Sequence, residues 1–215
     1  WKFAEVDVAG ADIAIGAFLS KDQKYINDVR KGGFHLTKMK EYFRDPTLTK
    51  KDADKYVASK SLSFRTTYTA ELLAAAVPMQ AEIYAESGYL LDLQTIEYAL
   101  GTWERYTDYM YYREKCKQEV ENNQTITNLR GMVFRFERTD DFGIMAAWKN
   151  QSLAFPIASE LALFMWDVGV SMKKQLMKDK LWGKYIFPTN SVHDAHYWIH
   201  HEDLLKDNYF PELCR

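Results

Sequence analysis

Cysteine, proline and glycine are scarce in this chain of 215 residues, and each shortage excludes a class of protein. Its two cysteines, Cys116 and Cys214, lie far apart and have neither zinc-knuckle nor redox CxxC spacing, nor that of a disulfide framework. Five prolines and ten glycines are too few for a fibrous repeat or a low-complexity chain. The composition therefore indicates a globular protein, with a reducing compartment as the default setting.

Neither sign of charge dominates the chain, which carries 28 Lys and Arg residues against 30 Asp and Glu residues. Because the two signs are interspersed, the sequence presents no basic patch for a phosphate backbone, and we expect no nucleic-acid partner. P-loop and GxGxxG motifs are also absent, which leaves the common nucleotide-binding loops without support.

The chain begins at Trp1, without an initiator methionine, a basic n-region or an apolar h-region. This start predicts that a targeting segment has been removed, as in an imported and processed protein. Aromatic side chains are abundant by contrast, at 15% of the residues. Because Tyr, Trp and Phe dominate buried contacts between proteins, their abundance favours partner subunits.

Hydrophobic periodicity predicts helices over most of the chain. Residues 11–30 and 68–87 have helical spacing and are followed by glycines, and residues 92–122 have the length of one long central helix. The segment 131–139, GMVFRFERT, alternates like a strand, although an extended connector fits it equally well, since one strand forms no sheet. We therefore predict an all-α fold, a single irregular helical domain over residues 1–215 with one long central helix and little or no sheet.

Residues 153–172, LAFPIASELALFMWDVGVSM, form the most apolar long segment. About twenty apolar residues suffice to cross the hydrocarbon core of a bilayer. Glu160 and Asp167 argue against a membrane span, because a carboxylate at mid-membrane is costly. The segment is expected to be either a deeply buried helix or a membrane-embedded one.

Histidines cluster near the end of the printed sequence, where the stretch HDAHYWIHHED at residues 193–203 holds four of the five. Ser191 followed by Asp194 has the pattern of a capping box, so we expect a helix to begin there. On such a helix the histidines would occupy one half-buried face, beside an apolar strip.

This face is the candidate metal site, because neutral imidazole is the commonest metal ligand in proteins. The spacing favours His196 and His200 as the chelating pair for a divalent metal, with carboxylates such as Glu160 or Asp167 supplied by other helices. The candidate ligands on the helix itself are His193, His196, His200 and Asp203.

Known metal-site templates do not fit these residues. HExxH and Glu-x-x-His are both absent, which excludes the metalloprotease helix and the ferritin-like di-iron bundle. The stretch from His196 to His201 resembles one histidine box of the membrane fatty-acid desaturases. Those enzymes need several boxes, and His35 is the one histidine left, so we exclude that family.

Other candidate residues are weaker. Glu82 and Glu86 lie one helical turn apart, a spacing more typical of solvated glutamates than of an active site. Cys116 lies between two lysines but has no histidine near it in sequence to act as a base. Asn123 and Asn150 begin N-glycosylation patterns, which matter only in a secreted protein.

These observations favour a non-catalytic helical subunit of a larger, membrane-associated assembly that binds other protein subunits. The expected location is an organelle, such as the mitochondrial inner membrane, with secretion as the alternative. A metal-dependent enzyme using the cluster at 193–203 is the second hypothesis, and a secreted helical binding protein is the third. Elsewhere the sequence shows no complete catalytic motif.

Overall fold

The structure, a computed structural model, describes residues 1–192 and 194–206. Its helices are α1 (Ala11–Ser20), α2 (Gln23–Arg30), α3 (Phe34–Tyr42), α4 (Ala53–Tyr68), α5 (Ala76–Ser87), α6 (Leu93–Gly101), α7 (Thr107–Asn123), α8 (Phe142–Lys178) and α9 (Asp203–Lys206). Its strands are β1 (Lys2–Asp7), β2 (Thr125–Thr127), β3 (Val133–Arg135), β4 (Ile186–Val192) and β5 (Ala195–His200).

The chain divides into two compact units. Unit 1 combines Trp1–Ala11 with the described residues from Ala158 onward, and unit 2 comprises Asp12–Ile157. The division falls within α8. Whether the two units form the single domain expected from the sequence stays a prediction.

Unit 1 is built on an antiparallel three-stranded sheet in the order β1-β5-β4. Side chains alternate along each strand, so one face of β5 is buried, with Trp198 2% exposed, while Phe3, Glu5 and Asp7 of β1 are exposed on the other face. The buried face packs with Met172 and Leu176 of α8, which lie four residues apart on one side of that helix. Sheet and helix together form the core of this unit.

The helix predicted from Ser191 onward is wrong, because this part of the chain forms the hairpin β4–β5. Val192 of β4 pairs with Ala195 of β5. The capping-box pattern of Ser191 and Asp194 outweighed a better signal in the sequence analysis. Tyr197, Trp198 and Ile199 are aromatic or β-branched and favour strands, and they follow a second β-rich run across a short polar turn.

The all-α prediction is therefore wrong as well. Helices account for 63% of the structure and strands for 12%, in two small sheets. The strand predicted at 131–139 is present as β3, which pairs with β2 in a two-stranded sheet of unit 2. The partner strand, Thr125–Thr127, was missed because three residues carry too little periodicity to be recognised.

The predicted helix end at Gly88 agrees with the structure, whereas residues 11–30 form two helices, α1 and α2, and the helix that ends at Gly88 begins at Ala76 instead of Tyr68. Gly88 ends α5 in the left-handed conformation, with φ of 68°, and its amide donates to the carbonyl of Tyr84. The long helix expected at 92–122 is instead two helices, α6 and α7, separated by a 3₁₀ turn at Thr102–Arg105. The longest described helix is α8, which has 37 residues.

The apolar segment 153–172 lies within α8. By length and composition, α8 is the one described helix that could cross a membrane, and 33% of its most apolar window is buried within the structure. Glu160 is buried and Asp167 is exposed, so the two carboxylates do not form a common polar stripe.

In unit 2, a buried arginine holds the carboxyl end of α4. Arg113 of α7 is 2% exposed, and its guanidinium donates to the carbonyl oxygens of Thr66, Thr67 and Thr69. These carbonyls lie at the negative end of the helix dipole and have no partner further along the helix. The guanidinium therefore replaces water at a buried helix terminus.

Lys38 of α3 is the most enclosed cation described in unit 2, with a side chain 1% exposed. Its ammonium lies 3.2 Å from the Glu41 carboxylate and donates to the Thr102 hydroxyl, and it approaches four aromatic rings, the nearest being that of Trp103 at 4.8 Å. Burial lowers its pKa to about 8, although Glu41 opposes the shift. The folded chain thus releases this proton far more easily than the unfolded chain.

We expect the contribution of Lys38 to the stability of the protein to rise with pH above 8. The unfolded chain keeps the Lys38 proton up to about pH 10.5, whereas the folded chain loses it near pH 8, so protonation favours unfolding between these values. From pH 8 to 9.5, the free energy of unfolding should rise by about 1–2 kcal/mol relative to that of Lys38→Met. Urea unfolding at each pH measures this difference.

The exposed Lys24→Met variant is the matched control, and its pH dependence should follow that of the wild type. Parallel curves for the wild type and Lys38→Met would show that Lys38 does not titrate in this range.

Candidate functional site

Two carboxylates lie at the same end of the unit 1 sheet. Asp7 ends β1, and Asp194 immediately precedes β5. Asp7 pairs with Ala195 in the register, and the amide of the next residue, Val8, donates to the carbonyl oxygen of Asp194 at 3.1 Å. The antiparallel pairing of β1 and β5 thus brings together two acids that are far apart in sequence.

The environment of Tyr197 shows that these acids share one exposed region. Its hydroxyl donates to the Glu5 carboxylate at 3.0 Å, and this hydrogen bond is the largest cause of a raised pKa for Tyr197. The negative charges of Glu5, Asp7 and Asp194 raise that pKa further. The open face of the sheet therefore has a negative potential at the end where Asp7 and Asp194 lie.

The histidines of the predicted metal site are placed differently. His196 and His200 alternate with Tyr197 and Ile199 along β5 and are buried, at 8% and 2% exposure. Four residues along a strand span about 13 Å, far more than one helical turn, so the chelating pair that a helix would have formed is not present. The helical premise of the metal prediction is wrong.

Backbone carbonyls already engage both rings. Nε2 of His196 lies 2.8 Å from the Met165 carbonyl oxygen, and Nδ1 of His200 lies 3.0 Å from the His201 carbonyl oxygen. Asp203 opens α9 beside His201, and His193 lies outside the described residues. Among residues 1–192 and 194–206, no group of three His, Cys, Asp or Glu side chains could hold a metal. Metal binding by the four predicted ligands stays a prediction.

Unit 2 has a second candidate surface, on α4. Lys60, Phe64 and Tyr68 follow one another at intervals of four residues and so share one face of the helix. Phe64 is 43% exposed, and its ring meets that of Tyr68 edge-on at 4.9 Å. Tyr68 in turn donates a hydrogen bond to the Asp12 carboxylate. This face presents a cation beside two aromatic rings.

His35 of α3 faces the cationic end of that surface. Burial and, to a smaller extent, the positive charge of Lys60 together lower the pKa of His35 to about 4. Within the described residues, Nδ1 of His35 is buried and has no hydrogen-bond partner. The exposed ammonium of Lys60 is the group on this surface that suits an anionic ligand such as a phosphate, and His35 lies within range of the charge of such a ligand.

This surface was missed in the sequence analysis, although a signal for it was present. Lysine and aromatic residues recur every four positions in KSLSFRTTY, residues 60–68, and mark one helical face. Asp7 and Asp194 were missed for a different reason, since the pairing of β1 with β5 is not written in any local pattern.

The weaker candidate residues from the sequence take part in ion pairs, in the core or in hydrogen bonds to the backbone. Glu82 and Glu86 both pair with Arg65 of α4. Cys116 is buried, and burial raises the pKa of its thiol to about 11, which is unfavourable for a nucleophile. The Asn150 side chain accepts a hydrogen bond from the Ala70 amide. Glycans at Asn123 or Asn150 stay a prediction.

No family model and no curated protein matches the sequence. Its fold, however, matches 107 solved chains. One match is the structure described as "POL domain of Pol1 from M. smegmatis complex with DNA primer-template and dNTP", with a TM-score of 0.77 and 15% sequence identity. The alignment covers 100% of this chain and 36% of that one, so the chain spans about a third of its length.

This match overturns several expectations. The interpretation as a non-catalytic accessory subunit of a mitochondrial-type membrane assembly is wrong, because the chain shares its fold with part of a solved structure described as a POL domain in complex with DNA. Excluding a nucleic-acid partner from the balanced charge was also wrong, since the same fold occurs in a complex with DNA. Net charge describes a whole chain and says little about one surface of it. The compartment stays a prediction.

We expect inorganic tripolyphosphate to raise the pKa of His35 from about 4 towards its ordinary value of 6.5, because a bound anion stabilises the imidazolium. Histidine NMR titration with and without the anion measures the shift. In Lys60→Ala, the pKa of His35 should start higher, since a repulsive charge is gone, and should respond less to the anion. A pKa of His35 that does not respond to saturating tripolyphosphate would exclude this surface as a phosphate site.

Proposed function

We propose that this chain is part of a template-directed DNA polymerase, which binds primer-template DNA and a deoxynucleoside triphosphate and joins the nucleotide to the primer. The observation that carries the proposal is the placement of Asp7 and Asp194 at one end of adjacent strands, in a chain whose whole length has the fold of a polymerase domain. Units 1 and 2 each supply one set of candidate residues.

In unit 1, Asp7 and Asp194 fit divalent magnesium. Hard cations prefer carboxylate oxygens, and magnesium in polymerases is held by one or two carboxylates together with substrate phosphates and water. The negative potential around Tyr197 favours such a cation, because its charge offsets the repulsion between the acids. When bound, the metal would activate the primer hydroxyl and neutralise charge on the transferring phosphate.

In unit 2, the α4 face fits a nucleoside triphosphate. Lys60 supplies a positive charge for the phosphates, and the pKa of the nearby His35 responds to charge at this place. Phe64 offers an exposed ring on which a base can stack, since every base has an aromatic face. Tyr68 is held by Asp12, which keeps the end of this face in one orientation.

Nucleotidyl transfer needs positioning and charge stabilisation more than covalent chemistry by the protein. The primer hydroxyl gives up its proton to solvent and attacks the α-phosphorus. A new P–O bond forms, the bond from the α-phosphorus to the bridging α–β oxygen breaks, and pyrophosphate leaves with the electron pair of that bond. For this chain, the proposal assigns cation binding to the two aspartates and nucleotide binding to the α4 face.

Asp7→Asn and Asp194→Asn should each lower the primer-extension rate by roughly two to three orders of magnitude, since removing one charge from a preorganised site is costly. Affinity for primer-template DNA, measured by fluorescence anisotropy, should stay near that of the wild type. The natural full-length protein that carries this chain is the material for both assays. Glu202→Gln, which removes an exposed charge from the same unit, is the matched control.

Full extension by both aspartate variants would contradict the proposal. A wild-type protein that neither binds nor extends primer-template DNA would contradict it as well.

Lys60→Ala and Phe64→Ala should raise the KM for the incoming nucleotide by about tenfold, the loss expected from one charged hydrogen bond or one stacked base. The affinity for primer-template DNA should change little. Steady-state single-nucleotide insertion measures KM and kcat separately. Lys24→Ala removes an exposed lysine from α2 and serves as the control, and equal KM values in all variants would remove the nucleotide from the α4 face.

A further inference from the structure

The buried histidine nearest to Asp194 contacts the core helix of unit 1. His196 is 8% exposed, and its Nε2 lies 2.8 Å from the carbonyl oxygen of Met165 in α8. A carbonyl oxygen only accepts hydrogen bonds, so Nε2 must carry the proton that is shared. This nitrogen is therefore occupied as a donor, and His196 acts as a tie between β5 and α8.

Gly169 makes this tie geometrically feasible. A Cβ atom on Gly169 would lie 3.2 Å from Nε2 and 3.3 Å from Cε1 of His196, which is tighter than an ordinary contact between a side-chain carbon and a ring. The glycine therefore leaves the space into which the imidazole fits against the helix. Glycine inside a helix costs stability, about 1 kcal/mol relative to alanine, so its presence there fits a requirement for close packing.

Towards the end of the sheet where Asp194 lies, β5 contributes no large apolar side chain to its buried face. The buried cluster of unit 1 includes Trp198 and Ile186, which belong to the middle and the opposite end of the hairpin. At the Asp194 end, β5 contributes the small Ala195 and then His196. The hydrogen bond from His196 and the gap at Gly169 therefore help to hold this strand end against α8, together with the partly buried Val6 and Val168.

We infer that His196 is a positioning residue for Asp194, holding the carboxyl-bearing turn at a fixed depth against α8 through the carbonyl of Met165. This inference rests on the proposed function, in which Asp194 binds a cation. His196 itself does not contact the cation. It fixes the strand that begins one residue after Asp194, and a metal site loses affinity when its ligands are placed too loosely.

Amide exchange tests the positioning without any metal or substrate. The Val8 amide donates to the Asp194 carbonyl, whereas the His201 amide donates to Tyr185 at the opposite end of the sheet. In His196→Leu, the Val8 amide should exchange about tenfold faster than in the wild type while the His201 amide changes little, as expected for local opening. His196→Gln retains an amide donor and should recover most of the protection.

His200→Leu is the matched control, because His200 is also buried on β5 and also donates to a backbone carbonyl. It should accelerate the His201 amide and leave the Val8 amide unchanged. Gly169→Ala should reproduce the effect of His196→Leu from the helix side, whereas the exposed Ser171→Ala in the same helix should not. Equal acceleration of both amides in every variant would mean that His196 has only a general structural role.

Manganese binding, followed by the electron paramagnetic resonance signal of the free ion, tests the link to Asp194. His196→Leu and Gly169→Ala should weaken manganese binding about tenfold, and His196→Gln and His200→Leu should bind within about twofold of the wild type, as expected for the support of a metal ligand. Unchanged affinity in His196→Leu, with the wild type binding manganese, would overturn the inference alone. A wild-type protein that binds no manganese and extends no primer would instead overturn the proposed function, and with it the role given to His196.

Discussion

The pairing of β1 with β5 is the interaction on which the candidate site depends. It joins the first strand of the described chain to one that lies almost two hundred residues later, with Lys2 opposite His200 and Asp7 opposite Ala195. Closing so long a loop costs entropy, but the cost grows only with the logarithm of loop length. Burial of Trp198, Ile186 and the α8 side chains beneath the sheet offsets it. The two aspartates are neighbours only because this pairing forms.

Unit 2 has a different organisation, in which two buried cationic side chains, those of Arg113 and Lys38, bind polar groups inside the core. Arg113 satisfies the carbonyls at the end of α4, and Lys38 lies between a carboxylate and aromatic rings. A buried charge is costly unless it is hydrogen-bonded, so each of these side chains is compatible with one arrangement of the helices around it. The orientation of α4, with Lys60 and Phe64 on its open face, follows from these contacts.

How well the sequence predicts this structure depends on how far apart in the chain the interacting residues lie. Local signals succeeded: Gly88 ends a helix, and the alternation at 131–139 marks a strand. The region around His196 failed because helical and strand patterns overlap there, and the capping pattern at Ser191 was preferred to the strand propensity of Tyr197 and Trp198. Asp7 could not be recognised as a site residue from the sequence, because it comes near Asp194 only through the pairing of β1 with a strand far along the chain. The spacing of Lys60, Phe64 and Tyr68 is visible in the sequence and marks one helical face.

The order of the sheet also governs its behaviour towards other chains. β5 is central in the order β1-β5-β4, so both of its edges are paired, and β4 is one outer strand. β4 carries Pro188 and a register shift between Pro188 and Asn190, features that discourage a further strand from adding there. β1 lies on the other side and covers β5. Removal of β1 would leave the hydrogen-bonding edge of β5, with its aromatic side chains, open to pairing with a second molecule. Strand β1, which carries Asp7, therefore also protects the edge of β5 from pairing with another molecule.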